Sequence, residues 1–120
     1  ARMRNRRSKY GGVKWLKALL KKYNETADSV WEMLTVDREI WTGIVKGKFL
    51  PTKNLVFSLS LTMGFTEEDM INFLAVCGYE LDFTMEKDVV ISYLVQNKVF
   101  NPEMVKVALN EYKISNLFIK

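Results

Sequence analysis

Histidine is absent from the 120 residues, and with it go the commonest general base near neutral pH and the commonest nitrogen ligand for metals. The single cysteine, Cys77, provides neither a disulfide framework nor a paired-thiolate metal site. Set in an apolar helical stretch, it reads as a buried structural thiol. There is no glycine-rich phosphate loop and no serine with a recognisable base beside it. These absences argue against an enzyme, and no metal or other cofactor is expected. A long apolar run is missing too. The longest uncharged stretch, 54–66, is interrupted by Ser58, Ser60, Thr62 and Gly64 and falls short of the ~20 apolar residues that a membrane span requires. No signal-peptide pattern opens the sequence, so the expected location is cytoplasmic, without membrane contact.

What is present is 48% hydrophobic and 27% charged, the balance of a globular domain. The length suits one domain with a single core. The net charge of +4 is unevenly placed. Residues 1–10 hold Arg2, Arg4, Arg6, Arg7 and Lys9 with no acid, which leaves 13 of the 18 basic residues against all 14 acids in the remainder. Within that remainder, 11–58 carry eight basic and five acidic side chains, and 59–120 carry five and nine. A cationic arm is a ready source of affinity for phosphates through counterion release, and it can enter a minor groove. It is equally a solvated tail or linker. Gly11 and Gly12 mark an expected hinge between this flexible arm, 1–12, and the body.

Residues 26–52 organise the rest. Thr26 is placed to cap one short helix, with Val30, Met33 and Leu34 on one face, and Asp37 to cap the next. In that second helix Ile40, Trp41, Ile44 and Val45 are expected to turn inward and Arg38, Glu39, Thr42 and Gly43 outward. Lys46, Gly47 and Lys48 then supply cations and a glycine free to take positive φ, and Pro51 prevents continuation. Two short helices joined in this way form a helix-turn-helix, which either enters a groove of DNA or packs within a fold.

The run VDREIWTGIVKGKFLPTKNLVFSLSLTMGFTEEDM resembles the core of Cro/CI (phage-repressor-like, XRE-type) helix-turn-helix domains. The likeness covers roughly residues 15–70. Val36, Ile40, Ile44, Gly47, Pro51, Val56, Met63, Gly64 and Met70 match that family's structural positions. The resemblance implies an all-α, repressor-like five-helix core spanning 13–78. It also implies that Arg38, Glu39 and Thr42 meet base edges while Lys46, Lys48, Lys53 and Asn54 hold phosphates. The sequence departs from the family at Ala27, where a phosphate-contacting glutamine is usual, at Trp31, where a small alanine is usual, and at Thr35, where the turn often has glycine.

Helices are expected near 13–23, 27–34, 37–46, 52–63, 66–77, 84–97 and 102–112. The first buries Val13, Leu16, Leu19, Leu20 and Tyr23 and exposes Lys14, Lys17, Lys21 and Lys22. Thr52 and Thr66 cap the fourth and fifth, and the acids Glu67, Glu68 and Asp69 suit the fifth helix's dipole. Thr84 is placed to cap a sixth helix with Val89, Val90, Tyr93 and Leu94 inward. Asn101 and Pro102 open a seventh with Met104, Val105, Ala108 and Leu109 inward. The three tryptophans, at helical spacing, read as core. Residues 79–120 therefore form a helical extension packed on the core, whose apolar tail Ile114, Leu117, Phe118 and Ile119 docks on its own domain or serves a homodimer or protein partner. Two functions remain. One is a regulator of the phage or mobile-element type that binds double-stranded DNA through α-helical readout and the basic arm. The other is a protein-interaction module that keeps the repressor-like fold without sequence-specific readout.

Overall fold

Five side-chain caps set most of the helix starts. In the computed structural model, which describes residues 9–120 and side chains from residue 11 onward, Thr26, Asp37, Thr52, Thr66 and Asn101 each accept a backbone N–H from the first turn of the helix that follows. Each such cap contributes about 1 kcal/mol by satisfying a donor the helix leaves open. The helices are α1 Lys9–Lys22, α2 Ala27–Trp31, α3 Arg38–Val45, α4 Lys53–Met63, α5 Glu67–Val76, α6 Glu86–Gln96 and α7 Pro102–Glu111. Among the described residues there is no β-strand; an isolated antiparallel bridge joins Leu34 to Ile119. The chain is all-α, and no described helix is long and apolar enough to cross a membrane.

α4 is the axis. Leu55, Val56, Phe57, Ser58, Leu59, Ser60, Leu61 and Met63 are all buried, and burial on every side requires neighbours all round. α2, α5 and α6 supply them, while α1 lies against α3 and α5. The two buried serines hydrogen-bond to carbonyls one turn back, Ser58 Oγ to Asn54 O and Ser60 Oγ to Val56 O, both at 2.8 Å. No buried side-chain polar atom among the described residues lacks a partner. Gly64 closes α4 at φ +74°, a left-handed conformation that glycine adopts without a Cβ penalty.

Several expectations need correction. Gly11 and Gly12 lie inside α1 rather than at a hinge. Gly12 is buried where a Cβ would come within 2.8 Å of Leu50 Cδ2, so its smallness lets α1 approach the 50–51 segment. Thr84 does not cap α6: its N–H and hydroxyl both turn back to Asp82 Oδ1, and Met85 precedes the helix with no side-chain cap. The buried face of α6 is Val90, Ile91, Leu94 and Val95, leaving Val89 and Tyr93 exposed. In α7 Val105 is buried but Met104 is exposed. Trp41 is core, whereas Trp15 lies at the surface. On α3, Trp41 and Ile44 turn inward, yet Ile40 is 48% exposed and Gly43 is buried beneath the ring of Phe49.

The closing residues dock on their own domain. Phe118 donates its N–H to Ser58 Oγ at 2.8 Å and accepts from Thr35 N at 2.9 Å, and Lys120 N donates to Met33 O at 3.1 Å. The last residues thus tie α4 to the α2–α3 connection.

Candidate functional site

Two indoles tie α2, α3 and the connection between them. Trp31 Nε1 donates to Val36 O at 2.8 Å, and Trp41 Nε1 donates to Ala27 O at 3.0 Å. Trp31, where a small residue would let the helices cross closely, lies partly buried and takes cations on its ring: the Arg38 guanidinium at 4.7 Å and Lys120 Nζ at 5.6 Å. Arg38 also pairs with Asp28, Nη2 to Oδ1 at 2.7 Å. Its guanidinium is therefore engaged within α2 and α3, although both partners of the pair remain exposed.

Lys53 and Asn54 are turned toward α6. Lys53 Nζ meets Asp88 Oδ2 at 2.7 Å; the Asp88 carboxylate is buried and also accepts from Asp82 N at 2.7 Å. Asn54 Oδ1 accepts from Lys87 Nζ at 3.2 Å. Glu39, Lys46 and Lys48 are exposed and Thr42 is partly so. The expectations for Arg2, Arg4, Arg6 and Arg7, and for the side chain of Lys9, lie outside the described residues.

Around the outer face of α3 the surface is concave. A shallow groove of about 740 Å³ runs past Arg38, Glu39, Thr42, Lys46, Lys48 and Phe49. It adjoins a narrower apolar cleft of about 330 Å³ between α3 and the start of α4, with Asp37, Ile40 and Phe49 common to both. Ile44, Leu55 and Phe118 line the cleft. Ile44 and Leu59 are both buried; α3 lies against α1 and α2, and the cleft opens beside Ile44 on the side of α4. Phe49 and Phe118 were not legible as site residues. The available signal was an aromatic residue between the lysine-glycine-lysine corner and Pro51 that no helix stripe had claimed.

A further titratable cluster lies where the end of α1 meets the start of α5. Asp69 accepts from Lys22 Nζ at 2.7 Å and from the Tyr23 hydroxyl, which in turn accepts from Thr66 N at 2.9 Å. Burial opposes the Asp69 charge, but the hydrogen bonds from Lys22 and Tyr23 together outweigh it and hold the carboxyl below its ordinary range. Cys77 is buried, and burial pushes its thiol up to about 12, so it is no nucleophile at neutral pH. No protein-family model matches the chain, and no curated protein or solved structure matches it either.

Proposed function

We propose that the chain is a non-enzymatic protein-interaction module, with a repressor-like helix-turn-helix core in α1–α5, whose docking surface is the outer face of α3. The observation that carries this is the character of that face. Ile40 and Phe49 are each 48% exposed at its centre, while Arg38, Lys53 and Asn54 are engaged by Asp28, Asp88 and Lys87. Large apolar groups at the middle of a concave surface with charges at its edge suit a protein partner. A DNA groove rewards the reverse, a face of donors and cations.

DNA binding is the second reading, favoured by the exposed Lys46 and Lys48 beside Thr42 and by the five basic residues among the first ten. Selection from random duplexes at about 0.15 M salt separates the two. The interaction reading expects no enriched motif. Any residual binding should lose its salt dependence on deletion of residues 1–10, by a slope of about 0.9 per phosphate contact. Enrichment of a motif whose preferred site is bound roughly 1–3 kcal/mol less well by Arg38→Ala or Thr42→Ala would overturn the proposal.

A further inference from the structure

The α3 face is polarised along its length, and the polarity specifies what fits it. Glu39 lies in the first turn of α3, and Lys46 and Lys48 lie just past its end. At 1.5 Å per residue, Glu39 and Lys46 are separated by about 10 Å along the axis. All three side chains are exposed, and none has a hydrogen-bond or ion-pair partner among the described residues. The other two charges at the rim are committed: Asp37 caps α3, and Arg38 pairs with Asp28. The charge left for a visitor is thus two cations at one end against one acid at the other. These three charges line the groove, and the cleft opens beside it, reached past the shared Ile40 and Phe49 and walled by Val36, Ile44, Leu55 and Phe118. Its volume of about 330 Å³ stands at the small end of ligand pockets, which run ~300–1,000 Å³. That is room for one or two large apolar side chains, not for an extended hydrophobic segment.

We infer that the α3 face binds a short protein segment carrying one large apolar anchor, Leu, Met or Phe, with carboxylates on the side that faces Lys46 and Lys48. The anchor enters between Ile40, Phe49 and Phe118, and the acids pair with the two lysines. The inference rests on the interaction reading above and adds the partner's chemistry and its direction of lie. Charge complementarity at a rim sets orientation and selectivity more than it sets affinity, so an anchor without acids binds in either direction, whereas reversing the lysines sets like charges against the peptide's acids and costs affinity outright. Because Phe118 belongs to the strap that closes on Thr35 and Ser58, an occupied cleft also holds the strap in place.

The test is a random-peptide phage selection on the full chain, followed by calorimetry with the enriched peptide and three variants. Ile40→Asp places a charge at the cleft mouth, at a half-exposed position, and its thermal melt checks that the variant folds; Lys46→Glu/Lys48→Glu reverses the cationic end; Thr26→Ser, outside the cleft lining, is the control. Expected are peptides combining one Leu, Met or Phe with Asp or Glu on one flank. Ile40→Asp should weaken binding at least tenfold, and so should the double lysine reversal. A peptide with its acids changed to Lys should recover affinity on the reversed variant alone. Failure to enrich any peptide, or enrichment of anchors without acids, overturns the inference. If the lysine reversal changes nothing while Ile40→Asp abolishes binding, the partner's chemistry is wrong and the docking face stands. If neither variant matters, both proposals fall. If duplex DNA perturbs the α3 amide resonances at about 0.15 M salt and no peptide does, the DNA reading replaces both.

Discussion

Replacing Ser58 by alanine and, separately, Ser60 by alanine removes the same atom from the same helix at the same zero exposure. Each hydroxyl donates to the carbonyl four residues back, a bond that helical serines can lose at little cost because the carbonyl keeps its backbone partner. The difference is that Ser58 Oγ also accepts the Phe118 N–H, sixty residues away. Without that acceptor, a partly buried amide is left unpaired. The penalty for such a group is about 1–3 kcal/mol, so Ser58→Ala should be less stable than Ser60→Ala by about that amount. At this chain length 1 kcal/mol corresponds to about 4 °C in Tm. Thermal and urea melts of both variants measure the difference, and hydrogen exchange locates it. The Phe118, Thr35 and Lys120 amides should lose protection in Ser58→Ala alone. Equal losses in the two variants, or unchanged exchange at Phe118, would refute the view that the strap is held through Ser58.

Other perturbations test the fold and the site. Asp69 has a depressed folded pKa, so its contribution is complete above its unfolded value of about 4 and is lost as pH falls from there through the folded value; urea midpoints of the wild type should fall across that acidic window more steeply than those of Asp69→Asn. Ile44→Ala should cost roughly 2–5 kcal/mol and exposed Glu39→Ala no more than about 0.5 kcal/mol, with equal losses in thermal melts counting against the α3 face assignment. A Cβ at Gly43 would come within 2.3 Å of Phe49 Cε2, so Gly43→Ala must displace that ring. With Phe49→Ala already in place, the same change should be neutral or stabilising by up to about 1 kcal/mol, and an additive cycle would show that the ring does not rest on Gly43.

How much of this was legible in the sequence depends on how far apart the determinants lie. The five caps are local, each a side chain meeting an amide two or three residues on, and the sequence marks them at Thr26, Asp37, Thr52, Thr66 and Asn101. Faces of short helices were harder. In α3 and α6 the apolar residues occupy neighbouring positions 100° apart, so periodicity alone does not decide whether Ile40 or Trp41, Val89 or Val90, is the one that neighbours cover. The candidate cleft was not legible at all, since Phe118 reaches it from the far end of the chain. Nor did an outward position reveal an engaged charge: Arg38 is exposed, as its helix position suggests, but Asp28 and Trp31 meet it there. The glycine pair misled because glycine serves both flexible joints and close contacts, and only the neighbour at Gly12, Leu50, distinguishes them.

The strap also sets an order of assembly during synthesis. Local contacts among α1, α2 and α3 can form as soon as those residues leave the ribosome, at about 5–20 residues per second. The Thr35–Phe118 and Met33–Lys120 bonds close loops of more than eighty residues, whose closure entropy is paid only after the intervening helices have packed. The nascent helix pair therefore waits, with its connection open and the Trp31 ring still without Lys120, until residues 113–120 have been made. A variant truncated after residue 112 should hold α4 and α5 against each other but leave the α2–α3 connection open to proteolysis, and restoring residues 113–120 should protect it in a single step.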